Sequence, residues 1–271
     1  MGRATLLDGS AGTALWAMAE AAGVNKTHVW KYNIEHPEFV LDLHRRYVEA
    51  GCEMIQANTF DANRLSVKRA SDYSVGDIIS SAVCLAKQAT EGRDVKVYTP
   101  FGPPAVLLEP YGKLTKPDVC EIYTEMAQAA VESGTDFIVL ETFMDVEMAR
   151  IAAKAIKQFD VSVICSMTFG KRHRTIMGDS VQKIVDTLAP LEIDGIGMNC
   201  SFGPVEALDI INEFREKTDL PLYFKPNSGM GENYSAAQFA KEVEPALEFV
   251  SYVGGCCGCD AEYIKELKKI L

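Results

Sequence analysis

The chain has 271 residues, 48% of them hydrophobic, and a formal net charge of −11 from 27 basic and 38 acidic side chains. The acidic balance, with no basic run longer than Lys171-Arg172-His173-Arg174, excludes an electrostatic footprint for nucleic acid, and no stretch of about 18 apolar residues is present to cross a bilayer. Met1-Gly2-Arg3 leads straight into a short apolar run and Asp8-Gly9 rather than a signal pattern, so a cytoplasmic location is expected. In that reducing compartment the eight cysteines read as metal ligands, reactive thiols or small buried hydrophobes before they read as disulfides.

In chain order, apolar runs bounded by turn residues predict strands at 4–7, 54–58, 96–99, 137–140, 162–167, 195–199, 222–225 and 249–253. Amphipathic segments predict helices at 37–50, 75–89, 117–132, 146–157, 181–188, 205–217, 236–247 and 261–271, with Pro37, Pro117 and Pro204 suited to helix starts. No linker or low-complexity tract interrupts the alternation. Eight strands each followed by a helix predict one α/β domain over 1–271, a (β/α)8 TIM barrel. A doubly wound open sheet would order the strands differently.

Polar residues and glycines collect after the strands: Asp8-Gly9, Asn58-Thr59, Gly102-Pro103, Glu141-Thr142, Asn199-Cys200, Asn227-Ser228-Gly229 and Gly254-Gly255-Cys256-Cys257-Gly258. In a TIM barrel these loops share the C-terminal face, where active sites lie. Cys200, after the sixth strand, is thereby expected to meet Cys256 and Cys257, after the eighth. Vicinal cysteines resist bonding each other, and the flanking glycines let both sulfurs turn toward one ion. Three thiolates select Zn2+ and leave one tetrahedral position for a substrate. Cys52, Cys84, Cys120 and Cys165, on apolar segments, are read as small buried hydrophobes. Asp8 is either a ligand or an N-cap, and Glu141 a ligand or a solvated loop end. Asn58, Asn199 and Asn227 either orient ligands or brace turns.

In this order the motifs resemble the homocysteine S-methyltransferase family over nearly the whole chain, and within it the homocysteine-binding barrel of cobalamin-dependent methionine synthase. The resemblance rests on Asp8-Gly9-Ser10-Ala11-Gly12-Thr13, Asn58-Thr59-Phe60 with Asn63, and Glu141-Thr142. It continues through Gly197-Met198-Asn199-Cys200, Pro226-Asn227-Ser228-Gly229 and Gly254-Gly255-Cys256-Cys257-Gly258. It implies a catalytic zinc on Cys200, Cys256 and Cys257, with Asp8, Gly9 and Glu141 at the amino-acid end of homocysteine. The implied chemistry is capture of homocysteine as a zinc thiolate, attack on an activated methyl group, and release of methionine.

The stretches 58–60 and 226–230 look most like the methionine-synthase barrel, which implies a methyl-corrinoid (cobalamin) donor on a separate carrier protein. S-methylmethionine or betaine as donor, or another small thiol as acceptor, is the alternative. Asp42-Leu43-His44 imitates the start of a cobalamin signature, but Tyr47 stands where its glycine would be, so His44 is read as an ordinary helix residue. Cys259-Asp260 replaces the Thr-Thr common in the family. Cys259 is expected to be a bystander near a helix N-terminus, reactive only if its pKa is low. A non-catalytic zinc barrel or docking subunit is the reading from another class, and a fourth protein ligand such as Cys259 would mark it. A metal-free thiol enzyme would need a nearby base, and none of His28, His36, His44 and His173 is expected after a strand end.

Overall fold

Backbone pairing in the computed structural model, which describes residues 2–170, 172–229 and 234–271, joins eight parallel strands edge to edge. They are β1 (Thr5–Leu6), β2 (Met54–Gln56), β3 (Lys96–Phe101), β4 (Phe137–Phe143), β5 (Ser162–Met167), β6 (Gly195–Cys200), β7 (Leu222–Pro226) and β8 (Tyr252–Val253). Their order is β1-β8-β7-β6-β5-β4-β3-β2, and a parallel bridge between Leu7 and Met54 brings the two ends together. The Glu53 N–H donates to the Leu6 carbonyl at 2.8 Å across the same seam. The TIM barrel expected from the sequence is the fold observed.

Among the described residues the α-helices are α1 (Gly12–Ala21), α2 (Tyr32–Glu35), α3 (Pro37–Glu49), α4 (Arg64–Ala70), α5 (Val75–Thr90), α6 (Lys116–Glu132), α7 (Val146–Ile156), α8 (Val181–Leu188), α9 (Pro204–Lys217), α10 (Ala236–Val243) and α11 (Ala261–Ile270). None is long and apolar enough to cross a membrane. The helix expected over 236–247 stops at Val243 and continues as a 3-10 turn, Glu244–Glu248, because Pro245 supplies no N–H to an α-helical ladder. The strand expected over 249–253 is shortened to β8. Helices α1, α2 and α4 are additional. The last is capped by Asn63, whose side chain accepts the Leu65 and Ser66 N–H groups at 3.1 Å each.

Successive strand residues point to opposite faces, and here the faces belong to two separate cores. Leu7, Met54, Tyr98, Phe137, Val139, Ile164 and Tyr223 cluster together, with Tyr252 packed against them. Their neighbours Ile138, Leu140, Cys165, Ile196 and Phe224 join the larger core made with the helices. Two residues along the first lane the side chains turn polar: Gln56 follows Met54, Glu141 follows Val139, Ser166 follows Ile164 and Lys225 follows Tyr223. All four are buried. The barrel therefore has an apolar base and a polar upper layer. Cys52 and Cys165 are buried as expected, but Cys84 is exposed, since it lies on the solvent side of the amphipathic α5.

Candidate active site

Cys200 ends β6 in the left-handed region, with φ 59°, and Ser201 follows with φ 68°. Such backbone is uncommon outside glycine and marks a constrained position. The loop after β8 is tied to β7: the Cys256 N–H donates to the Pro226 carbonyl at 2.8 Å, and the Cys257 N–H to Asn227 Oδ1 at 3.1 Å. Gly258 turns the chain at φ 81°, where a Cβ would also meet the Ser228 hydroxyl. A Cβ on Gly255 would collide with the Cys259 side chain. These glycines let the two vicinal cysteines lie on the rim.

The three sulfurs lie within 4.8 Å of one another, with Cys200 Sγ 3.7 Å from Cys257 Sγ. A tetrahedral zinc with Zn–S near 2.3 Å requires sulfurs about 3.8 Å apart. The triangle therefore fits such an ion, and the all-sulfur donor set suits it chemically. Among the described residues these three cysteines form the group of metal-ligating side chains. The Cys259 sulfur instead faces the Pro226 carbonyl at 3.9 Å, buried, and burial pushes its thiol pKa up rather than down. Thiol hydrogen bonds from Cys256 and Cys257 lower the Cys200 pKa to about 3. The same bonds raise Cys256 to about 11 and Cys257 further still. A dication at the centre would release the remaining protons.

Asn199 ties the rim to the barrel. Its Oδ1 accepts from the Thr142 N–H at 2.8 Å and the Ser166 hydroxyl at 2.7 Å, and its Nδ2 donates to the Thr142 hydroxyl and toward Cys256 Sγ at 3.8 Å. Beneath lies a charged network that the sequence reading missed in part. The Lys225 ammonium, 2% exposed, donates to Asp8 Oδ1 at 3.1 Å and to the Tyr98 hydroxyl at 2.7 Å, and lies 3.8 Å from Glu141. Asp8 also accepts from the Gln56 N–H, the Gln56 side-chain amide and the Tyr98 hydroxyl. The Tyr223 hydroxyl donates to Glu141. Burial opposes the charge on Lys225, but Asp8, Glu141 and Cys256 outweigh it and hold its pKa above the ordinary lysine range. Burial raises Glu141, with Lys225 acting against it.

A cavity of about 440 Å³ opens over this floor. Gly9, Asn58, Glu141 and Asn199 line it together with Cys200, Cys256 and Cys257, while Asp8 and Asn227 lie behind the lining. Asp8 is not an N-cap, since α1 begins at Gly12 without a side-chain cap, and Glu141 is buried rather than a solvated loop end. Asn58 braces the segment after β1, donating to the Val29 carbonyl and Asn33 Oδ1. His28 borders the mouth, reached by the long excursion between β1 and α3. It stacks on Trp30 and pairs with Asp61 at 3.3 Å. His44 is a fully buried residue of α3. Of the stretch 226–230, Met230 lies outside the described residues, as does Lys171 of the basic run. Lys225, Gln56, Tyr98 and Tyr223 were unread, and their signal was polar atoms recurring at every second position of otherwise apolar strands.

An eight-stranded barrel with three thiols gathered at its C-terminal rim defines a class of barrel with a sulfur-rich candidate metal site. The family model for homocysteine S-methyltransferase matches residues 5–271, and the chain belongs to that family. It is 26% identical over 261 residues to the methionine synthase of Mycobacterium leprae, covering 87% of this chain and 21% of that protein. The Mycobacterium tuberculosis methionine synthase is also 26% identical, over 262 residues, covering 87% of this chain and 22% of the relative. The chain thus spans about a fifth of the length of these curated relatives. Its backbone is similar to the metallated form of the homocysteine methyltransferase MmuM from Escherichia coli, with a TM-score of 0.83 at 21% identity over 99% of this chain and 96% of that one. The apo form aligns with a TM-score of 0.78, at 21% identity over 100% of this chain and 97% of that one.

Proposed function

We propose that the chain is a zinc-dependent, homocysteine-binding methyltransferase barrel that methylates the homocysteine sulfur to give methionine. The observation that carries this reading is the triangle of Cys200, Cys256 and Cys257 opening onto a cavity that also holds a buried carboxylate. When bound, zinc would hold the substrate sulfur as its thiolate at neutral pH, ready for in-line attack on a methyl group. The chain's own residues do the rest. Asn199 and Asn227 orient Cys256 and the Cys257 backbone. Glu141 offers its charge to the α-ammonium, and Gly9 offers its backbone N–H to the α-carboxylate, its carbonyl being taken by the Gln56 side-chain amide at 2.6 Å. Asn58 fixes the segment around Val29 and Asn33 beside the cavity, and Asn199 fixes Thr142 and Ser166.

The donor in this reading is a methyl-corrinoid on a separate carrier protein, at work in the cytoplasm. Two features support a protein-borne donor. The relatives named above are methionine synthases, much longer than this chain. Of the exposed large hydrophobics, Trp16 and Phe60 line the cavity, and Leu107, Tyr111, Ile176 and Val205 also lie in segments that follow strands. Apolar groups concentrated on one face suit a protein contact.

The test is methionine formation by the zinc-loaded protein from homocysteine with methylcobalamin, S-methylmethionine or betaine. Turnover with methylcobalamin is expected, and turnover with betaine or S-methylmethionine alone would overturn the corrinoid donor. A docking subunit without activity would give no methionine from any donor, even with zinc bound.

A further inference from the structure

Cys200 and Ser201 are consecutive non-glycine residues in the left-handed region, with φ 59° and 68°. Backbone of that kind is costly outside glycine and persists only where its surroundings hold it. On one side the turn is tied to β7, where the Asn227 N–H donates to the Phe202 carbonyl at 2.9 Å. On the other it is tied to the segment after β5 through one side chain, Ser201. The Ser201 hydroxyl accepts the Phe169 N–H at 2.7 Å, lies 2.8 Å from the Thr168 hydroxyl, and donates to the Asn199 carbonyl at 3.3 Å. With the Thr168 hydroxyl donating, both lone pairs and the single proton of Ser201 are used. Thr168 is itself fixed, since its N–H donates to the Phe143 carbonyl at 2.9 Å. The Ser201 N–H donates to the Cys200 sulfur. Neither Ser201 nor Thr168 lines the cavity.

We propose that Ser201 is a positioning residue for the metal site: its hydroxyl latches the left-handed turn to the end of β5, and the turn aims the Cys200 sulfur at Cys256 and Cys257. The inference rests on the reading that these three cysteines hold zinc, and it adds what keeps the triangle in shape before the metal binds. An alanine at 201 has no bond to hold it at positive φ, so the turn relaxes toward ordinary backbone and carries the Cys200 sulfur off the triangle. Zinc must then select the chains that still hold the turn, and its affinity falls in proportion to their fraction. A glycine at 201 also lacks the hydroxyl but enters the left-handed region without a steric cost, so the turn stays within reach.

The experiment measures zinc affinity by competition with a chromophoric chelator in wild type, Ser201→Ala, Ser201→Gly and Thr168→Val, and records the Co2+ spectrum of each. Ser201→Ala is expected to bind zinc about tenfold or more weakly, the size usual for groups that orient a metal ligand. Ser201→Gly should stay within about threefold of wild type, with Thr168→Val between the two. The thiolate-to-cobalt and tetrahedral d–d bands should weaken in Ser201→Ala and persist in Ser201→Gly. A merely structural hydroxyl would move the urea midpoint and leave the affinity of the folded protein where it is. Ser201→Ala binding zinc as tightly as wild type overturns the proposal. So does Ser201→Gly losing as much as Ser201→Ala, which would put the effect in the hydroxyl and not in the turn. If Ser201→Ala does not fold, Thr168→Val decides alone, weaker zinc binding supporting the latch and wild-type binding overturning it. If wild type binds no zinc, the reading of the three cysteines falls and takes the proposal with it. If wild type binds zinc and the variants match it, only the proposal falls.

Discussion

On the floor of the cavity Asp8, Lys225, Tyr98, Glu141 and Tyr223 answer one another's charges and hydrogen bonds from within the barrel, whereas at the rim three thiols compete for a single negative charge. The floor is built from strand interiors, where register fixes each side chain two residues above an apolar one. The rim is built from loops, held by left-handed backbone at Cys200 and by glycines that clear space for the cysteines. The contrast separates two tasks. Folding completes the floor, and a metal would complete the rim.

The sharpest way to break the comparison is at the rim. Cys200→Ala and Cys257→Ala should each drop zinc from about one per chain to almost none while leaving the circular dichroism spectrum unchanged, because both side chains lie outside the core. Metal analysis of the purified variants checks this. Substitution on the barrel wall should do the reverse. A Cβ on Gly197 would be driven into the Tyr223 carbonyl of the neighbouring strand, so Gly197→Ala should destabilise the fold by about 3 kcal/mol or more, read by urea denaturation.

Acid should act on the scaffold through His44. Burial lowers its pKa from 6.5 to about 4, against the pull of Asp8, and its Nε2 has no hydrogen-bond partner among the described residues. The unfolded chain binds this proton more readily than the folded one. Stability from His44 is therefore complete above pH 6.5 and declines as the pH falls toward 4, by about 3 kcal/mol. Thermal melts across that range should show the decline, and His44→Leu should flatten it. The smallest effect is expected on the floor: Tyr223→Phe takes one donor from the buried Glu141 and should cost about 1–3 kcal/mol with zinc content unchanged, measured by denaturation and metal analysis.

The barrel was legible because strand and helix periods alternate without interruption and the turn residues fall after strands. The cysteine triangle was legible because a vicinal cysteine pair set among glycines after a strand, with a third cysteine after an earlier strand, fits a turn that presents thiols at the rim. The structure shows the turn at Gly258 alone, while Gly254 and Gly255 are glycine to clear Asp8, Leu7 and Cys259. The floor was harder to read. Lys225 ends an apolar run and looks like a strand terminus, and Tyr98 and Tyr223 look like strand formers. Their role comes from a closed barrel that aims lanes from different strands at one point. Helix α1 was missed because Gly12–Ala21 is apolar over much of its surface and has no side-chain cap. The excursion that brings His28 to the mouth depends on the Asn33–Asn58 contact across 25 residues.

The central claim is that three cysteines hold zinc and leave a place for a substrate sulfur. X-ray absorption at the zinc edge, on wild-type protein with and without homocysteine, tests it most directly. The expected result is about one zinc per chain with three protein sulfurs, gaining a fourth sulfur when homocysteine is added. A zinc already held by four protein sulfurs and indifferent to homocysteine, or a protein that binds no zinc, would contradict it.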